Sequence, residues 1–325
     1  MSKSKKTAIT VFVLLALMLA GIIVFHNNPG ADPGEELVKK IISCGVIVCA
    51  CFIFVRWYDK FTVLPVELYQ NRHLIWKLAK NDFKKRYAGS YLGAVWAMIQ
   101  PVVTVAMYYI VFGVFMPDAK PDGDVPFVLF LTAGLVPWFY FNEALNNGTN
   151  ALLEYNYLVK KVVFKISILP IIKIIAATFI HVFFVCILLV VAIFYGYYPN
   201  IYTIQVVYYS FCLFIFVLAL CYTTCAVVVF FKDLSQIINI ALQIGMWATP
   251  ILWDIQQIEN PVIVTLLKLN PLVYVVNGYR SAIYGRQWFF EDFFSTMYFW
   301  IVTVVLFGFG ALVFKRLKVH FADVL

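Results

Sequence analysis

The chain has 325 residues, 63% of them hydrophobic and only 13% charged, and a mean hydropathy of +0.87, which excludes an ordinary soluble domain and points to lipid as its main solvent. The net charge of +8 could suit a nucleic-acid partner, but the basic residues sit mainly between apolar runs, as the positive-inside rule describes, which argues against one. The seven cysteines, Cys44, Cys49, Cys51, Cys186, Cys212, Cys221 and Cys225, all lie inside apolar runs without the paired spacing of a zinc site, and read as small packing residues.

Lys3, Lys5 and Lys6 precede an apolar run over residues 7–25, which as a helix would reach about 28 Å, nearly a hydrocarbon core. It reads as an uncleaved span, with a signal peptide as the alternative. The linker over residues 26–36 is turn-rich and has no Lys or Arg, which places it outside, and a second span over residues 37–57 returns the chain. Residues 66–103 then run from a basic amphipathic segment straight into a span. On a helical wheel Leu68, Ile75, Trp76, Ala79, Phe83 and Tyr87 share one arc, and His73, Lys77, Lys80 and Lys84 another. The pattern predicts a helix in the headgroup layer, its apolar side in lipid, with Trp76, Lys77, Lys80, Lys84 and Arg86 at the headgroups. Gly89 and Gly93 permit a turn into the next span.

Six further apolar runs follow, over residues 91–115, 126–145, 169–195, 204–231, 237–253 and 293–314, which makes eight spans in an all-α polytopic protein. With the amino terminus inside, 19 of the 25 Lys and Arg residues fall on the inner side, an asymmetry that predicts both termini in the cytoplasm. The inner connection over residues 146–170 suits a short helix parallel to the membrane. The connection over residues 230–235 is too short for a domain, so its flanking spans are antiparallel neighbours. Residues 270–284, in the long outer loop, are too apolar for a solvated loop and too short to span, so a re-entrant or interfacial segment is expected.

The chain carries little chemistry. It has no Gly-Lys dipeptide and hence no Walker A loop, and no HExxH, GxSxG or HxE/CxxC arrangement. Within the six later spans the ionisable residues are Glu143, Lys173 and His181. The first two lie near enough to a membrane face to snorkel, and His181 reads as a hydrogen-bonded histidine between helices rather than a proton relay. Active transport by such a chain needs an energising partner.

Five segments in order, NDFKKRYAGSYLGAVWAMIQPVV, YNYLVKKVVFKISILP, FFKDLSQIINIALQIGMWATPILW, LNPLVYVVNGYRSAIYG and FKRLKVHFADVL, make residues 66–325 resemble the membrane subunit of bacterial ABC-2 type exporters of cell-surface polysaccharides, the O-antigen, capsule and teichoic acid permeases. The resemblance implies a six-helix core with an interfacial helix and external re-entrant helices, over residues 91–325 and 61–90. The two spans within residues 1–60 are a departure from that plan. It further implies a non-catalytic homodimer in the bacterial inner membrane, docked to two copies of a cytoplasmic ATPase that holds ATP and Mg, with no cofactor on this chain. The cargo would be an undecaprenyl-pyrophosphate-linked glycan. Asn156, Tyr157, Leu158, Lys160, Lys161 and Phe164 would match the coupling helix that sits on the ATPase. Asn270, Pro271, Tyr274, Gly278 and Arg280 would match the external gate, Arg280 pairing with a pyrophosphate, a partner carbonyl or the interface. Trp96, Tyr108, Tyr109, Trp138 and Tyr140 would be candidates for the channel wall. A drug or small-lipid exporter of the same superfamily and a non-transporting membrane scaffold are the rival readings.

Overall fold

The computed structural model describes residues 3–25, 33–86, 91, 93–116, 125–159 and 165–325, and among them there is no strand. The chain divides into two compact units, Met1–Arg72 and His73–Leu325.

The first unit is a helical hairpin. Helix α1 (Lys3–Phe25) pairs with α2 (Pro33–Gln70), whose 38 residues rise about 57 Å, well beyond a bilayer core. Phe12 stacks on Phe54 at 4.1 Å, and the Lys5 ammonium lies 5.4 Å from the Tyr58 ring. The segments Lys5–Phe25 and Glu36–Arg56 are long and apolar enough to cross a membrane, and their outward side chains, such as Leu14, Met18, Ile41 and Phe52, are exposed. Lipid is the solvent such surfaces need. Helix α2 stops where the Asn71 side chain and backbone N–H both donate to the carbonyl of Glu67, at 2.7 and 3.0 Å, an amide taking over a carbonyl that the helix would otherwise leave open.

The second unit begins with α3 (Arg72–Arg86) and α4 (Trp96–Tyr108), the latter continuing in wider π-helical turns over Tyr109–Phe115. Next come α5 (Phe127–Thr149), two single turns α6 (Ala151–Glu154) and α7 (Asn156–Val159), then the antiparallel pair α8 (Leu169–Phe194) and α9 (Gln205–Val228). Helix α5 is the centre of the unit, packed against α8, α9 and two shorter helices that follow them in the chain, with 78% of its apolar window buried against 6% for α4. Helix α4 therefore lies at the edge. At the other side α9 packs against the long final span, where a Cβ on Gly310 would come within 2.9 Å of the Ala219 carbonyl oxygen, so only glycine permits that approach.

Helix α10 (Leu234–Ala248) has 15 residues and rises about 22 Å, short of a full core. The expected run over residues 237–253 is thus cut after Ala248. Pro250 drives Thr249 into an extended conformation, φ −94 and ψ 135, because the proline ring clashes with a helical predecessor. The short helices α11 (Pro261–Lys268) and α12 (Pro271–Arg280) follow, then the span α13 (Phe293–Leu317) and the terminal turn α14 (Phe321–Val324). Among the described residues seven helices are long enough to span, with the shorter α10 between the sixth and the seventh of them; α11 and α12, extended to Gly285, bend by 94°. Both start at an Asn-Pro pair: Asn260 and Asn270 each accept from a backbone N–H two residues on, at 2.9 and 3.1 Å, and the prolines occupy the first turn, where no N–H is needed. That repeated cap is why the chain turns into helix twice in succession.

Candidate functional site

Helix α3 was expected to float with its apolar arc in lipid. In the structure one edge of that arc is turned inward: Ile75 and Ala79 are buried with Asp82 beside them, and Phe83 and the half-exposed Trp76 meet Phe179 of α8 edge-on at 5.9 and 5.2 Å. The carboxylate at that edge explains why. Asp82 Oδ1 accepts from Lys173 Nζ at 2.7 Å and from the Tyr155 hydroxyl at 2.8 Å. Lys173 also pairs with Glu154, and Arg86 pairs with Glu143 while its Nη2 stands 3.8 Å from Asp82 Oδ2. The result is an alternating chain Glu143, Arg86, Asp82, Lys173, Glu154 that joins α5, α3, α8 and α6. Burial, and then the hydrogen bond to Asp82, pushes the Tyr155 phenol up, so it stays a donor at any physiological pH.

Two sequence readings change here. Lys173 does not snorkel to a membrane face: it is 3% exposed and held by two carboxylates, as a buried ammonium must be. Arg86 faces Glu143 rather than lipid headgroups, because the last turn of α3 brings it over the end of α5. Lys77, Lys80 and Lys84 do stay exposed. The segment expected to meet the ATPase follows directly on the junction. Asn156 and Tyr157 are exposed on α7 and Leu158 is half-buried, while Lys160, Lys161 and Phe164 lie outside the described residues.

The five residues expected at the gate lie on α12 and its cap and face two ways, Asn270 and Arg280 toward the end of α10 and Tyr274 and Gly278 toward α9. Asn270 caps α12 and donates to Thr249 Oγ1 at 2.9 Å, and Pro271 opens the helix. The Arg280 guanidinium donates to the carbonyls of Pro250 and Ile251 at 2.7 and 2.9 Å and stacks 3.6 Å above Phe130 of α5. Both carbonyls belong to this chain, so the guanidinium is held by its own fold through its two Nη atoms. A Cβ on Gly278 would fall on the Tyr209 ring, so this glycine sets the approach of α12 to α9. Tyr274 is buried, bonded to Tyr208 and Thr296 at 3.1 and 3.0 Å.

The channel-wall candidates divide. Trp96 and Tyr109, on α4, are 49% and 39% exposed, and Tyr108 reaches Met246 of α10. Trp138 and Tyr140 are each 3% exposed, so neither stands on an outer face that could line a channel between subunits. At these two positions α5 is packed against α10 and α8. Trp138 lies under Gly245 of α10. Tyr140 stacks on His181 at 4.4 Å and bonds Thr178 at 2.9 Å. His181 is indeed a hydrogen-bonded histidine between helices, its Nε2 lying 2.9 Å from the Tyr279 hydroxyl and 3.1 Å from Ser210 Oγ.

Tyr140 and His181 border a half-open cavity of about 730 Å³ bounded by α3, α4, α5 and α8, with the ionic junction at its other end. Sequence reasoning missed Asp82, Glu154 and Tyr155 altogether. One signal was available for the first of these: Asp82 is the only acidic side chain on the arc of Ile75 and Ala79, where a charge needs a buried partner.

Residues 73–284 match the ABC-2 type transporter family. The chain is 30% identical to the O-antigen export system permease protein RfbA of Myxococcus xanthus over 79% of its own length and 97% of the relative's. It is 27% identical to the protein of the same name from Klebsiella pneumoniae over 76% and 93%. The matched span runs from α3 to the end of the bent helix pair and so takes in the ionic junction, the cavity and the Arg280 clamp. The chain belongs to the ABC-2 type transporter family.

Proposed function

We propose that this chain is the membrane subunit of an ATP-driven exporter that carries an undecaprenyl-pyrophosphate-linked surface polysaccharide across the bacterial inner membrane. Two copies form the pathway, each seated on a cytoplasmic ATPase subunit that holds ATP and Mg, and both termini of the chain face the cytoplasm. The observation that carries the reading is the alternating ionic chain. It fastens the segment just before Asn156, Tyr157 and Leu158 to α3, α5 and α8, so a push on that segment is delivered to three elements at once. The relatives, named O-antigen export permeases and matched over nearly their whole length, support the polysaccharide class over a drug or small-lipid cargo.

In the mechanism, ATP closure on the partner moves the coupling segment. Tyr157, Lys160, Lys161 and Phe164 supply its apolar and basic contacts with the ATPase. Glu154 and Tyr155 pass the movement to Lys173 and Asp82, and Arg86 passes it on to Glu143. Ionic partners exchange over short distances without an apolar core being repacked, which suits an element with two positions. At the far side the Arg280 clamp and the capped pair α11 and α12 form the outer gate.

The test is purification from the native membrane in mild detergent with mass spectrometry of what accompanies the chain. A Walker-containing ATPase and an undecaprenyl-linked sugar chain are expected; finding neither, in conditions that keep other membrane complexes whole, refutes the reading. Replacing Lys160, Lys161 and Phe164 together with alanine is expected to abolish export while the permease remains in the membrane. Export at the parental rate would remove the coupling role.

A further inference from the structure

We infer that the cavity between α3, α4, α5 and α8 is a binding site for neutral sugar, the carrier-proximal end of the glycan, within a single permease chain. The inference rests on the proposed function for the identity of the cargo and on the cavity wall for the site itself. Three basic groups, Lys85, Arg86 and Lys173, and three acidic ones, Asp82, Glu143 and Glu154, border the cavity. Their charges cancel, and all but Lys85 are engaged in the junction. Among the described residues no surplus of positive charge is left to hold a pyrophosphate.

The unspent groups are of another kind. Three buried side-chain polar atoms among the described residues lack a hydrogen-bond partner, and two of them, Asp82 Oδ2 and His181 Nδ1, belong to residues that line this cavity. Both residues are more than nine-tenths buried. Asp82 Oδ2 is an acceptor by nature. Beside His181 Nε2 the Ser210 and Tyr279 hydroxyls stand 2.5 Å apart, either of them able to donate, so the ring's tautomer follows that pair. Both unpartnered atoms are themselves enclosed, without accessible surface toward the cavity, so the groups open to a ligand are the uncharged ones.

Neutral amides complete the wall. Gln100 and Asn147 make no side-chain hydrogen bond among the described residues, and Asn142 spends only its oxygen, on Asn146. Amides with unspent groups, beside the rings of Tyr140 and Phe184, are what hydroxyl groups and the C–H faces of a sugar ring need. From Lys173 to His181 the wall follows eight residues of α8, about 12 Å, and the volume lies within the common range for small-ligand sites, about 300–1,000 Å³.

The experiment places the photoreactive residue p-benzoylphenylalanine at Asn147, which is only half-buried, in the full-length chain in its native membrane, and a control at Val190, which is 65% exposed on α8. After irradiation the permease band is probed for glycan and treated with glycosidase. A glycosidase-sensitive adduct from Asn147 and not from Val190 is expected. The double substitution Asn142→Ala with Asn147→Ala is expected to slow export about 2- to 10-fold at equal membrane level, the loss that goes with one ordinary hydrogen bond. Adducts only with phospholipid, equal labelling from Val190, or no adduct in membranes whose permease still copurifies with lipid-linked glycan would overturn the site and leave the export reading standing. If no lipid-linked glycan accompanies the chain at all, both fall.

Discussion

The two ends of α5 are held by opposite chemistry. Near its start, Phe130 and Gly134 lie against Arg280 and the 249–251 turn, where the bonds run from one guanidinium and one amide to neutral carbonyl and hydroxyl oxygens amid packed rings. Near its end, Glu143 enters a chain of five charges that spans four helices. A packed aromatic corner has one low-energy arrangement, since close packing forbids small slides. A chain of alternating charges has several, because each cation has a second carboxylate within reach. The difference assigns rigidity to the re-entrant end and movement to the junction, and both can be tested by removing one member from each.

The largest effect is expected at Lys173. Its replacement by methionine leaves the Asp82 carboxylate buried beside a weak donor and a distant guanidinium, and breaking a buried pair costs about 3–5 kcal/mol. The variant should melt far below the parent in detergent and accumulate poorly in membranes. Pairing Lys173→Met with Asp82→Asn should restore most of the loss, since two neutral side chains need no counter-charge. A single variant as stable as the parent would show that Tyr155 and Arg86 alone satisfy the carboxylate, and the junction would then be a surface feature.

At the rigid end Gly278→Ala is expected to cost less, about 1–3 kcal/mol, the usual range for overpacking. The added methyl falls on the Tyr209 ring, which is itself enclosed by Tyr208 and Tyr274. A second substitution, Tyr209→Leu, should relieve the strain in thermal melts. An alanine variant that melts with the parent would mean that this corner yields as readily as the ionic one, and the contrast between the two ends would fail.

Much of this architecture was legible in the residues, and the parts that were not share a cause. The long spans announce themselves because uninterrupted apolar runs have few stable forms in lipid. The Asn-Pro pairs at 260 and 270 announce α11 and α12 in the same local way. The early stop of α10 was also written, in Thr249 and Pro250, but Ile251, Leu252 and Trp253 prolong the apolar run and hide it. What binds those residues to the protein is Arg280, about thirty positions on. The junction was the least readable part. Asp82 meets Tyr155 and Lys173 across 73 and 91 residues, and a wheel drawn for α3 alone cannot show which side faces α8. Trp138 and Tyr140 misled for the same reason: their helix is enclosed by elements that follow it in the chain.

The smallest expected effect sharpens the contrast within the junction itself. The Arg86 and Glu143 side chains are 26% and 24% exposed, whereas that of Lys173 is 4% exposed. Water reaches the first pair, so its coupling in a double-mutant cycle of Arg86→Gln and Glu143→Gln should be about 1 kcal/mol or less and should shrink as salt rises. Each single variant should keep the fold and membrane level, yet export should fall, because the push from Glu154 would no longer arrive at α5. A coupling near that of the Lys173 pair, insensitive to salt, would make the whole chain one rigid clamp. Undiminished export with the weak coupling intact would end the movement at α3, with Asp82 as its last station rather than Glu143.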